Sequence, residues 1–228
     1  MSNWTMKQTW SNLLFVHWPV SAEWLQALLP DPLKADTYEG SAWIGLVPFK
    51  MEKIRFRGLP EVPLLSSLLE LNVRTYVTYN GKPGVYFFSL DASHPIGVWI
   101  ARTFFHLPYF HSQMRAEFQP NEISFSSRRI HKGEPPAQLR LTYRPGPVKT
   151  QPEPLDLWLT ERYCLYTVKN RKIYRGDLKH APWSLQDGTC EILSDTMTRD
   201  FGRSEQKTLH ILYSKAVETE FFPFVKLC

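Results

Sequence analysis

The 228-residue chain carries 27 Lys and Arg against 22 Asp and Glu, a formal charge of +5, with 43% hydrophobic and 21% charged residues. Such composition excludes a disordered chain, and the basic runs at 50–57, 126–129 and 169–175 are too short and scattered to indicate nucleic-acid binding. No apolar run reaches membrane-span length, MSNWTMKQTW lacks a signal-peptide core, and three distant cysteines (Cys164, Cys190, Cys228) suggest neither a disulfide framework nor a metal knuckle. The expectation is one cytoplasmic domain spanning 1–228, with no cofactor, no metal, and neither membrane nor nucleic acid as partner.

Aromatics at 14%, and 18 prolines against 11 glycines, predict many short strands separated by rigid loops. Leu13 to Trp18 reads as a strand. A short helix follows, capped by Ser21, with Leu25, Leu28 and Leu29 on its buried side and Pro30 and Pro32 ending it. Residues 41–56 read as a long strand or a bent pair of strands, with Gly45 and Pro48 marking a bulge or kink. GLPEVPLLSSLLE is a proline-stiffened loop, and 70–92 form a hairpin. Ile96, Ile100 and Phe104 then recur at helical spacing between Pro95 and Pro108. SQMRAEF, ISFSSRRI and QLRLTYR are strand-like, 144–154 reads as a loop, and LWLTERYCLYTVKNRKIYRGDL as a second hairpin turning at Asn170. APWSL, a short helix and a strand near LHILYSKAV complete the chain. The fold class is therefore β-rich α+β.

The hairpin ELNVRTYVTYNGKPGVYFFSLDA carries the main candidate site. Glu70, Asn72, Arg74, Tyr76 and Thr78 share one face of its first strand. A two-residue loop at Asn80–Gly81 sets Glu70 opposite Asp91 and Asn72 opposite Ser89. A four-residue loop sets Asn72 against Asp91 and Arg74 against Ser89. Either register brings Ser89 and Asp91 onto the face of Glu70, Asn72 and Arg74. Facing inward, these charges must pair, with Arg74 bridging both acids, and a surplus carboxyl would have a raised pKa suited to proton transfer. The competing reading is an Arg–carboxylate brace that only holds strand register.

HLPYFHSQM adds Tyr109 and His111, but Pro108 breaks any helix that could set His106 and His111 on one metal. A zinc site would need a third ligand from His17, His94, His131 or His180. In LTERYCLYT, read as a strand, Glu161 and Arg162 point to opposite faces, so one of the two could reach the interior. Cys164 reads as a core thiol, and His180, in GDLKHAPWSL, as structural. No phosphate loop, dinucleotide fingerprint or nucleophile elbow is present.

FVHWPV, AWIGLVPF, ELNVRTYV, GVYFFSLDA, LPY, LTERYCLYT and H-APW-L, in this order over roughly residues 12–217, resemble the YqjF-like family of uncharacterised bacterial proteins. That family is in turn similar to acetoacetate decarboxylase. The resemblance implies a β-barrel with a central cavity, flanking short helices and homo-oligomeric assembly, with Glu70 matching a cavity glutamate. Where the decarboxylase carries its Schiff-base lysine, this chain has Tyr109, Phe110, His111 and Ser112, and none is an amine. Two functions follow as expectations. One is non-Schiff-base lyase or isomerase chemistry on a small keto or enol acid. Glu70, Tyr109 and His111 would handle protons, while Arg74, Asn72, Ser89, Asp91 and Arg102 hold the ligand. The other is a non-catalytic small-molecule binding or sensing module.

Overall fold

Two long strands, β1 (Met6–Val20) and β3 (Ala42–Phe56), pair antiparallel, and each is bent by one surplus residue. Asn12 (φ 53°) lies within the register shift between Ser11 and Val16, and Lys53 (φ 52°) within the shift between Lys7 and Thr9. The kink expected at Gly45 and Pro48 is thus made elsewhere. Gly45 serves a close approach instead: a Cβ there would lie 3.0 Å from His17 Cδ2 and 3.3 Å from Arg74 Cγ. The computed structural model describes residues 3–61, 67–202 and 208–227. The centre of the expected loop (62–66) and Cys228 lie outside the described residues.

Between these strands, α1 (Ala22–Leu28) begins where the Ser21 side chain accepts the Trp24 N–H. Leu25 and Leu29 are buried, but Leu28 is exposed, contrary to the expected stripe. β2 (Lys34–Ala35) pairs with β4 (Ser67–Tyr79), which turns through Asn80–Gly81 into β5 (Lys82–Ala92). Both turn residues have positive φ, as a tight two-residue hairpin turn requires. α2 (Pro95–Phe104) starts on the His94 side chain, which accepts the Gly97 N–H. It buries Val98 and leaves Ile96 and Phe104 exposed.

β6 (Tyr109–Phe118), β7 (Ile123–Arg129) and β8 (Gln138–Val148) follow as a meander, and β8 runs into the stretch expected as a loop. α3 (Pro154–Thr160) replaces the first arm of the expected second hairpin. Pro154 preorganises its first turn and the Asp156 carboxylate accepts the Glu153 N–H at 2.8 Å. LDLWLT alternates like a strand, yet this N-terminal chemistry decides it. The hairpin is instead β9 (Cys164–Lys169) and β10 (Lys172–His180), turning at Asn170–Arg171. β11 (Leu185–Asp195), β12 (His210–Phe221) and β13 (Val225–Lys226) complete the order. β11 occupies much of the region expected to hold a short helix, and 203–207 lie outside the described residues.

The strand pairings close on themselves twice. β12, β1, β3, β4 and β5 form a shared wall. On one side β5 continues through β6, β7, β8 and β11 back to β12; on the other it continues through β9 and β10 back to β12. Both faces of the wall are covered, so buried residues run almost without interruption from Leu13 to Trp18 and from Ala42 to Phe49. Leu14, Val16, Trp18, Ile44, Leu46, Leu71, Val73, Phe125, Leu141 and Tyr143 pack the larger circuit. No helix among the described residues is long and apolar enough to cross a membrane.

Candidate functional site

The smaller circuit holds a cavity of about 160 Å³, to which all seven of its strands contribute. β4 presents Leu68, Glu70, Asn72 and Arg74 by simple alternation, facing Phe15 of β1, Val47 and Phe49 of β3, and Phe87 and Leu90 of β5. Gly97, Ile100 and Ala101 of α2 line it as well, as do Thr160, Arg162, His180 and Trp183. The wall is mostly apolar, with few polar groups, as in small-molecule sites generally.

Glu70 is only 3% exposed. Its Oε2 accepts the Tyr109 hydroxyl at 2.8 Å. Burial raises the Glu70 pKa from 4.5 to about 8; the Tyr109 hydrogen bond opposes the shift and the Asp91 charge adds to it. The Tyr109 pKa is pushed well above 10 by burial and by the Glu70 charge and hydrogen bond, so its hydroxyl remains a donor.

The other charged region gathers around Tyr76. The Arg74 guanidinium lies 5.5 Å from the Phe15 ring centroid and 5.7 Å from that of Tyr76, and Arg162 lies 5.1 Å from Tyr76 and 4.4 Å from Trp158. Arg74 Nη2 reaches the Tyr76 hydroxyl and the Leu159 carbonyl only at 3.4 Å, and no described carboxylate pairs with it. Arg162 donates to the Trp158 carbonyl at 2.7 Å and pairs with Asp36 at 2.5 Å. Behind them, His17 meets the Tyr76 hydroxyl at 2.7 Å. Its pKa is held well below 6.5, by burial first and then by Arg74 and His210.

Four buried polar atoms on lining residues have no hydrogen-bond partner: Trp10 Nε1, Asn72 Oδ1, Arg74 Nε and Arg162 Nη2. Such groups are costly to bury, and a polar ligand that reached them would supply the missing partners. No lysine lines the cavity among the described residues.

The expected polar row is thus divided. Glu70, Asn72, Arg74 and Tyr109 meet at the cavity; Ser89 and Asp91 do not. The two-residue turn holds as far as Arg74↔Phe87, but the next pair is Val73↔Ser89, which leaves Phe88 as a bulge. One surplus residue turns Ser89 and Asp91 to the opposite face. There the Asp91 carboxylate takes Arg129 Nε at 2.8 Å, Arg129 Nη2 at 2.6 Å and the Ser112 hydroxyl at 2.6 Å. Arg74 therefore bridges no acids. The bulge falls where β5 changes partner, from β9 at Val85–Tyr86 to β6 at Leu90–Ala92.

Arg102 is exposed and donates to the Tyr109 carbonyl at 2.6 Å. It borders a separate outer depression with His106 and Lys169, which shares only Phe87 and Leu107 with the cavity wall. His111 sits on β6 with its backbone N–H bonded to His131 Nδ1, away from the cavity. Of Glu161 and Arg162, Arg162 lines the cavity, because α3 ends before it and the strand alternation expected there does not apply. His180 lines it too, stacked on Tyr163 and near Trp183. A charge inside LTERYC was the only sequence signal for Arg162. Cys164 is a buried thiol donating to the Pro83 carbonyl. No described group of three His, Cys, Asp or Glu side chains could hold a metal.

A family described as an uncharacterized conserved protein matches residues 7–218. The uncharacterized protein YqjF of Bacillus subtilis is 46% identical over 226 residues, covering 98% of this chain and 93% of that one. Among solved structures, acetoacetate decarboxylase from Legionella pneumophila superposes with a TM-score of 0.67 at 11% identity, over 100% of this chain and 89% of that chain. The enduracididine biosynthesis enzyme MppR, complexed with pyruvate, gives 0.66 at 11% over 100% and 92%. An acetoacetate decarboxylase-like enzyme from Sphingomonas wittichii gives 0.64 at 12% over 99% and 94%. The mostly-sheet fold with three short helices is thus that of the acetoacetate decarboxylase-like proteins.

Proposed function

We propose, for a chain that belongs to the DUF2071 family of uncharacterized conserved proteins, that its one domain is an acetoacetate decarboxylase-like barrel binding a small organic acid for non-covalent acid–base chemistry. The observation that carries this reading is the meeting, within one cavity, of the Arg74 guanidinium, which no described carboxylate pairs, with a buried carboxyl whose pKa is raised to about 8. Arg74 and Arg162 hold the ligand's carboxylate. Glu70, largely protonated at neutral pH, gives a proton to a carbonyl or enol oxygen and takes it back, while Tyr109 fixes the carboxyl's orientation. The chemistry is lyase or isomerase chemistry of a keto or enol acid that needs no Schiff base, since no lysine lines the cavity among the described residues. The same absence favours the second reading, a cavity that binds or senses the acid without turnover.

A thermal-shift screen of keto, hydroxy and dicarboxylic acids on wild type and Arg74→Ala tests the binding step. At a hundred times its Kd, a bound acid adds about 2.7 kcal/mol, or roughly 5–10 °C in Tm, and the shift should vanish in a folded Arg74→Ala. No shift with any acid would end the organic-acid reading. Binding without conversion, unchanged by Glu70→Gln, would select the sensing module.

A further inference from the structure

The cavity's two polar ends point to a ligand class. We infer that the bound acid carries its carboxylate at one end of an apolar body and its second oxygen at the other, as an ω-hydroxy or ω-oxo medium-chain acid does. This rests on the organic-acid reading above and narrows it.

Glu70 and Arg74 stand four residues apart on the same face of β4, so their Cα atoms are about 13 Å apart. Their side chains do not converge. The Arg74 head reaches towards Tyr76 and the Leu159 carbonyl, with Arg162 on the same ring, whereas Glu70 is held by Tyr109. Between these ends the walls are Val47, Phe49, Phe87 and Leu90, with Phe15 beside the Arg74 head. Asn72 is the one polar side chain β4 places between them; it is 5% exposed, and its Oδ1 lacks a donor.

A three-carbon acid anchored at Arg74 and Arg162 would stop short of Glu70 and leave the apolar belt uncovered. A longer acid covers the belt with methylenes or a ring and delivers its far oxygen to Glu70 and Tyr109, passing Asn72 on the way. Each methylene buried should tighten binding about fourfold.

Calorimetric titration of wild-type protein with pyruvate, butyrate, hexanoate, octanoate, phenylbutyrate and ω-hydroxyoctanoate, with octanol as the uncharged control, tests this. The expected result is affinity rising along the series, with octanoate or phenylbutyrate more than about tenfold tighter than butyrate, ω-hydroxyoctanoate tighter than octanoate, and octanol much weaker than octanoate. Leu90→Trp, which narrows the belt, should weaken octanoate more than pyruvate. Pyruvate or butyrate binding as tightly as octanoate, or ω-hydroxyoctanoate binding no tighter than octanoate, would overturn the inference while leaving the organic-acid reading intact. Octanol matching octanoate would remove the carboxylate end and, with it, both. Binding by none of these acids would likewise remove both.

Discussion

The two strand circuits share a five-strand wall, yet the charged side chains of the β4–β5 hairpin fare differently on its two sides. On the side of the packed circuit, Asp91 is fully buried and its carboxylate is satisfied by Arg129 and Ser112. On the cavity side, Asn72, Arg74 and Arg162 each leave a buried atom without a partner, and Glu70 accepts the Tyr109 hydroxyl. A buried charge that is fully paired braces a fold, whereas partner-poor groups around a void are an unspent binding capacity. The difference separates structural from functional polarity on two faces of a single hairpin.

The sharpest test of that difference removes one charge from each side. Asp91→Ala strands the Arg129 guanidinium and should cost about 3–5 kcal/mol. Arg74→Met removes no ion pair and should cost no more than about 1 kcal/mol without ligand. Urea denaturation of both variants checks this, and equal losses would erase the distinction.

Packing gives the next contrast. Leu141→Ala, in the filled circuit, should cost about 2–5 kcal/mol and lower Tm by roughly 10 °C. Phe87→Ala trims a half-buried ring that already borders the cavity, so about 1–2 kcal/mol is expected. Calorimetric melting of the pair would show whether the cavity is as empty in solution.

Protonation distinguishes the two sides as well. Glu70 has a folded pKa near 8 against 4.5 for the ordinary group, so across that window the folded state keeps a proton the unfolded chain has released. Stability contributed at this site therefore falls as pH rises from about 4.5 to 8, by on the order of a few kcal/mol. Glu70→Gln should be progressively more stable than wild type over that range. His17, held neutral, lowers stability as pH drops below 6.5, but this contribution is common to both proteins and cancels in the difference. A wild-type-minus-variant stability that does not change with pH would contradict the buried carboxyl.

The smallest effect concerns the wall itself. Gly45→Ala would bring a methyl within 3.1 Å of His17 Nε2, the atom bonded to Tyr76, and should cost about 1–2 kcal/mol. Loss of that hydrogen bond, followed by the His17 ring's NMR shift, would accompany it.

Local chemistry was legible in the chain: the Ser21 cap, a hairpin turn within residues 80–83, the Pro95 helix start and the alternation that sets Glu70, Asn72 and Arg74 on one face. These depend on a few neighbouring residues and on fixed backbone periods, so the sequence by itself determined them. The partition of the polar row depended on a single surplus residue, Phe88, at the point where β5 exchanges β9 for β6. Nothing within FFSLDA encodes it, because the bulge answers to which strands lie alongside. The same holds for α3, whose end beside the Tyr76 ring brings Arg162 to the cavity from a segment with strand-like alternation. Alternation says which residues share a face; only the closure of distant strands into two circuits decides whether that face meets a packed core or a cavity.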